Sequence, residues 1–433
     1  MPTDANKIQG FLRHHNLRDA DLEALAARLK PNFAPLPPRV RGGARLTAEF
    51  LEKRWSLLRV SPEQKATLAD LATMEQMEVY ERNIENFIGT VKVPVGLAGP
   101  LRVNGLFAEG DYYLPLATTE AALVASCSRG AQAISEAGGC SAMLVTEGVS
   151  RAPGFVFSTL EEAGRFVVWL LSQKEQMRRL AEATTHHGRL TDIRFAIEGN
   201  HVYVVFEFTT GDAAGQNMVT IATQAICNYI KEHTPVRPEY SFVEANLSGD
   251  KKASALSFLS VRGKKVSAEV RLSAELVKRM FHSTPEKMTN YWRMSAIGGV
   301  MSGTIGIHGH YANCLAALFI ACGQDAACVA ESSVGITRFE VTLGNELYAC
   351  VTLPNIIVGT VGGGTSLPSQ RACLEIMGLG GADHVEAFAE VCGGLALAGE
   401  LSIIAALSSD EFTRAHHRLA RGRKTEAGGA APA

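Results

Sequence analysis

Leucines recur at 12, 17, 22, 25 and 29, a spacing that predicts a helix over residues 11–30. The stretch PNFAPLPP from Pro31 forbids its continuation, because proline lacks an N–H and its ring clashes with the preceding turn. Further helical periods follow near 47–57, 62–72 and 74–87, so residues 1–88 read as a small helical region. In FIGTVKVPVGLAGPLRVNG the pattern changes: β-branched residues among turn glycines and prolines predict strand and hairpin. Between 151 and 244 the two patterns alternate. GRFVVWLLSQKEQMRRLAEA predicts helix, IRFAIEGNHVYVVFEFTTGD a hairpin with an E-G-N turn, and NMVTIATQAICNYIKEH helix again. Together they make an α+β unit large enough to be a domain. From Lys251 to Ser408, glycine-rich turns separate long apolar helices, and the small, polar tail RGRKTEAGGAAPA reads as disordered.

One segment conflicts with its own pattern. Read as a helix from Thr119, PLATTEAALVASCSRG places Leu123, Val124 and Cys127 on the same face as Glu120. A carboxylate on a buried face is expensive unless paired. The residues alone leave two readings: a solvated carboxylate near a helix N-terminus, or a desolvated acid whose pKa is raised for proton transfer.

Composition narrows the class. A chain of 433 residues implies two or three domains, and 46% hydrophobic with 20% charged residues is globular. A net charge of −2 gives no electrostatic case for nucleic acid or an anionic membrane. Nine cysteines without C-x-x-C spacing predict buried, reduced thiols, no metal site and a cytoplasmic setting. The apolar runs from Cys314 and Gly393 read as core helices, since the first is short and the second carries Glu400, so no membrane partner is expected.

Other candidates for chemistry are scattered. Asp250-Lys251-Lys252 is a solvated turn or a fixed cation for an oxyanion. Asp325 is a helix cap or a partner for that cation, and of the adjacent His416 and His417 at most one faces a site. Glycines cluster at 210–217 and 359–366, where backbone can approach a phosphate, yet no G-x-G-x-x-G occurs.

The motifs ENFIGTVKVPVGLAGPL, LATTEAALVAS, GDAAGQNM, GDKKA, ACGQDAA, GTVGGGT and AGELSIIAAL follow one another in the order seen in the 3-hydroxy-3-methylglutaryl-coenzyme A (HMG-CoA) reductase family. The chain resembles that family over about residues 74–424, and its class I more closely than the other bacterial class. The resemblance implies an α+β fold: a large, mainly helical substrate domain (89–151 and 244–424), interrupted by a small ferredoxin-like cofactor domain (152–243). The helical region 1–88 precedes them and a tail, 425–433, follows. It implies HMG-CoA and coenzyme A as ligands, NADPH as cofactor with NADH as the alternative, and at least a homodimer with active sites at the subunit interface. The implied catalytic residues are Lys251 as oxyanion cation, Glu120 as proton donor, Asp325 tying the two together, and His416 protonating the departing thiolate. Arg151, Asp250, Lys252, Arg293 and Asn313 match contacts to the acyl group, and Ser126 and Arg129 match the CoA side. Thr185, His186, Asp212, Gly215, Asn217, Met218, Gly362, Gly363 and Gly364 match cofactor contacts. Four positions depart from the family pattern. Glu244 stands where a serine is usual, which raises the prospect of another acyl-CoA substrate. Val329 stands for asparagine, and Thr185-His186 for the Ser-Arg pair that reads a 2′-phosphate, with His187, Arg189, Arg421 or Arg423 as substitutes. The mevalonate-oxidising direction and a non-catalytic CoA-binding homologue are the rival readings.

Overall fold

The computed structural model describes residues 4, 7, 14, 19–40, 43–185 and 187–409, divided into units 1–90 and 91–433. In the first unit, helices α1 (Asp19–Arg28), α2 (Ala48–Trp55), α3 (Pro62–Leu68) and α4 (Leu71–Glu75) follow in order. The single helix expected over 62–72 is split, because the Asp70 side chain accepts the Thr73 N–H at 2.9 Å and starts a new helix. A 3-10 turn, Met77–Tyr80, replaces most of the helix expected over 74–87. Leu51, Trp55 and Phe87 form the core of this unit, and buried Arg54 donates to the carbonyl of Phe87 at 3.0 Å.

The second unit is built on a ten-stranded sheet. Strands β1 (Val95–Gly105) and β2 (Glu109–Ala117) form a hairpin, of which the stretch read as strand and hairpin, 87–105, supplies only β1. Strand β3 (Cys140–Arg151) pairs along most of its length with β8 (Gly263–Leu272). Its last three residues, Val149–Arg151, pair instead with β6 (His201–Thr209). Thus β3 joins two hydrophobic cores and carries Arg151 to the place where they meet. Beyond β8 lie β10 (Leu347–Ile356) and β9 (Ile336–Val341). On the other side β6 pairs with β5 (Arg189–Glu198) and β4 (Gly154–Val156), and β4 with β7 (Tyr240–Phe242).

Helices cover this sheet. The larger core packs α5 (Leu123–Glu136), α9 (Ala274–Phe281), α10 (Pro285–Ser302), α11 (Tyr311–Ala321), α12 (Val329–Ser332) and α13 (Pro368–Ile376) around α14 (Val385–Ser408). The smaller core holds α6 (Leu160–Ser172), α7 (Lys174–Glu182) and α8 (Gln216–His233) against β5 and β6. By length and composition α14 is apolar enough to cross a membrane, but 83% of its apolar window is buried inside the fold. Its Glu390 is fully buried and accepts the N–H groups of Leu106, Phe107, Ala108 and Leu144. Where α14 crosses α5, Gly130 lies so close that a Cβ there would stand 1.9 Å from the Ala398 carbonyl oxygen.

Two expectations are corrected. The region from Lys251 to Ser408 is not helices and turns alone: β8, β9 and β10 run through it. The alternation of buried Val266, Ala268, Val270 and Leu272 with Lys265, Ser267, Glu269 and Arg271 has the period of two that a strand requires. Nor does a helix start near Thr119. Ala122 takes φ +73°, outside helical space, and α5 begins only at Leu123. Glu120 therefore leaves the apolar face it was expected to share and is exposed in a loop.

Candidate active site

The loop after β7 presents Lys251 with φ +57°, a backbone conformation that residues with side chains rarely adopt. Its ammonium pairs with Asp325 at 2.7 Å. Asp325 caps the 3-10 turn Ala326–Cys328, its Oδ1 accepting the Ala327 N–H at 3.0 Å, so the anion is itself fixed. The hydrogen bond to Asp325, more than its charge, raises the Lys251 pKa above the ordinary lysine value, with burial opposing. For Asp325, burial acts upward, but the Lys251 and Ala327 hydrogen bonds prevail and hold the carboxyl below its ordinary value. Lysine and aspartate are both charged near neutrality, as an oxyanion-stabilising cation requires.

Next to this pair lies a cluster of charges in which Arg151, Arg262 and Glu331 are buried and Asp250 and Glu244 partly so. Asp250 meets Arg151 at 2.9 Å and Arg262 at 2.7 Å. Arg262 donates to both oxygens of Glu331 at 2.6 Å, and Glu331 accepts the main-chain N–H of Lys251 at 3.1 Å. Burial lifts the Glu331 pKa against the pull of Arg262. Glu244, the position that raised a second acyl substrate, is occupied internally. It meets Arg151 at 3.5 Å and accepts from the N–H groups of Ala152 and Asn246 and from the Ser248 hydroxyl. Lys252 is exposed beside this cluster. Arg262 and Glu331 were not among the sequence candidates. Their signal, a charge between apolar or small neighbours, is the same one that singles out Glu120.

Glu120 belongs to a second cluster. Asn313, on the first turn of α11, donates to its carboxylate at 2.7 Å. Among the described residues, no hydrogen bond or ion pair joins Glu120 to Lys251 or Asp325, so the expected single set is two sets within one chain. Glu120 and Asn313 line a cavity of 580 Å³, with Ser126, Arg129, His310 and Ile403. Ser126 and Arg129 are tied to Ser402 of α14, the hydroxyls at 2.8 Å and the guanidinium to the carbonyl at 3.0 Å. Buried Glu400 fixes the loop before α11 by accepting from Gly309, His310 and Thr337. Arg293 is exposed on α10 and contacts only Asn290, at 3.4 Å, among the described residues. His416 and His417 lie outside the described residues, as do Arg421, Arg423 and the tail.

The glycine clusters meet. The Thr360 N–H reaches the Asp212 carbonyl at 2.9 Å, and Asp212 Oδ1 accepts the Val385 N–H at 3.4 Å. A Cβ on Gly359 would stand 2.7 Å from the Ala214 nitrogen. Gly362 and Gly363 take φ +75° and +55°, and open space lies where their Cβ atoms would be. Gly215, at φ +74°, precedes α8, whose N-terminus has no side-chain cap, and Asn217 is exposed in its first turn. A helix N-terminus without a side-chain cap, and glycines without a Cβ in the way, suit a pyrophosphate. Thr185 is engaged locally: its hydroxyl contacts the Met218 sulfur at 2.9 Å and accepts from His187 and Gly188. His186 is outside the described residues.

The family model for hydroxymethylglutaryl-coenzyme A reductase matches residues 50–421. The chain belongs to the HMG-CoA reductase family. Members are oxidoreductases, and this chain is one. A reductase of Aeropyrum pernix is 43% identical over 366 residues, 82% of this chain and 86% of that protein. One of Pyrococcus horikoshii is 40% identical over 419 residues, covering 94% and 99%. Among solved structures, a class II HMG-CoA reductase of Streptococcus pneumoniae, bound to NADPH in open conformations, shares the fold at TM-score 0.62 and 20% identity, covering 84% and 97%.

Proposed function

We propose that the chain reduces (S)-HMG-CoA to mevalonate and coenzyme A with two molecules of NADPH. The observation that carries this reading is the Lys251–Asp325 ion pair at 2.7 Å, a cation held charged next to a cluster of buried and partly buried charges. Lys251 stabilises the oxygen that gains charge when the thioester carbonyl, and later the aldehyde, is reduced. Glu120 donates the proton to that oxygen, and Asn313 orients its carboxyl. His416, by its place in the motif, protonates the departing thiolate. Arg151, Asp250, Lys252, Arg293 and Asn313 face the acyl group, and Ser126 and Arg129 the CoA side. NADPH supplies hydride when bound, and Asp212, Gly215, Asn217, Met218 and the Gly362–Gly364 turn hold it, with Thr185 and His186 at the adenosine end.

The small unit 152–243 is the ferredoxin-like cofactor domain on this reading, and 89–151 with 244–424 is the substrate domain. Two copies complete each site, which accounts for Glu120 and Lys251 standing in separate clusters of one chain. We place the chain nearer class I on its motifs. Nine free thiols fit a reducing compartment, so we place the enzyme in the cytoplasm. With the Glu244 carboxylate occupied by Arg151, Ser248 and two main-chain N–H groups, HMG-CoA is the favoured acyl substrate.

The test follows loss of reduced-nicotinamide absorbance with HMG-CoA, separately with NADPH and NADH. Consumption of two cofactors per thiol released, faster with NADPH, is expected. No turnover with either cofactor refutes the assignment.

A further inference from the structure

Two contacts from one short stretch hold Lys251 in its positive-φ conformation. Asp325 takes the ammonium, and Glu331, six positions on in α12, takes the main-chain N–H at 3.1 Å. The root and the head of one side chain are therefore gripped by a single segment. Glu331 is fully buried and Arg262 is 2% exposed. The Arg262 guanidinium also meets Asp250, the residue just before Lys251, and its own N–H is held by Asn355 at 2.9 Å. A buried ion pair seldom stabilises a fold more than well-packed apolar groups of the same size. Stability is thus a poor reason for placing these charges here, whereas the Glu331 acceptor acts on the Lys251 N–H directly and the bridge to Asp250 holds the residue before it.

We propose that Glu331 and Arg262 are positioning residues for Lys251, forming with Asp325 a two-point clamp that fixes where the ammonium sits. The inference rests on the reading of Lys251 as the oxyanion cation. The groups facing the lysine are Asp250 from its own loop, Asp325 and Cys328 from the 3-10 turn, and Glu331 from α12. Burial pushes the Cys328 thiol up to about 12, so it stays neutral where activity is measured.

Two double variants separate positioning from folding. Arg262→Met with Glu331→Leu replaces the pair by apolar groups and removes the acceptor. Arg262→Met with Glu331→Gln removes the same charges but keeps an oxygen opposite the Lys251 N–H. Asp250 retains Arg151 in both. The leucine variant is expected to lose about 100-fold in kcat, since small misplacements of a catalytic group carry that penalty. Its KM for HMG-CoA should stay within about threefold of the parent, because the loss falls on the transition state. The glutamine variant should recover about tenfold of that loss. Lys251 is also titrated by NMR of isotope-labelled lysine, assigned with Lys251→Arg. It should titrate lower in the leucine variant than in the parent or the glutamine variant. Equal kcat and equal titration in the two variants overturn the clamp. Hydrogen exchange at the Lys251 amide of the unaltered protein needs no variant: slow exchange is expected, and exchange at the rate of an open loop overturns the clamp. A parent protein that titrates as expected but does not turn over HMG-CoA refutes the reductase reading alone.

Discussion

At the scale of single residues, this protein sets protonation by pairing at a half-open surface. Lys251 and Asp325 are 40% and 46% exposed, so their mutual attraction is screened and contributes modestly to stability. Its effect is on titration. The raised Lys251 pKa gives a contribution present below the ordinary lysine value and lost as pH rises through the folded value. The lowered Asp325 pKa gives one present above the ordinary carboxyl value and lost as pH falls through the folded value. The pair therefore operates across neutrality. Asp325→Asn should lower stability modestly at neutral pH and lower the Lys251 pKa. Melting temperature against pH should then lose its pair-dependent rise on both the acid and the alkaline side, and kcat should fall by about 100-fold. An unaltered kcat would show that Asp325 is only the cap its backbone contact makes it.

At the scale of elements, the site depends on how closely α5 and α14 approach. Gly130 lets the Ala398 backbone pass, and that crossing places Ser126 and Arg129 beside Ser402. Gly130→Ala improves local helix propensity, yet its methyl would overlap a main-chain carbonyl that no side-chain rotation can move. Overpacking of this kind costs about 1–3 kcal/mol, which outweighs the gain of about 1 kcal/mol from replacing glycine in a helix. Chemical denaturation should show Gly130→Ala less stable than the parent; a more stable variant would mean that the two helices separate freely. Strand β3 has a comparable role. It changes partner from β8 to β6 near its end, and its last residue, Arg151, meets Asp250 there.

At the scale of the whole molecule, two clusters that the proposed reaction must combine stand apart in one chain. Subunit mixing tests whether a second copy unites them. Glu120→Gln and Lys251→Met chains, each inactive alone, should recover turnover when refolded together, and absence of recovery would place both residues in one subunit's site. The sequence by itself determined the chemistry available. Long contiguous motifs hold Glu120, Asp250-Lys251-Lys252, Asp325 and the glycine clusters, and local propensity is enough to mark β1 and the helices of the 151–244 region. Tertiary structure alone decided which charges are satisfied, and by what. Arg262 and Glu331 are 69 positions apart, and they meet because the residue before β8 and helix α12 both lie against β10, which no local periodicity encodes. Glu120 shows the converse. Its spacing to Leu123 and Cys127 looked helical, but the positive φ at Ala122 breaks that phase, leaving the carboxylate exposed with Asn313 as its partner. Residue spacing carries faces only while the backbone repeats regularly. One residue in the left-handed region cancels it, and the fold then settles where the side chain goes.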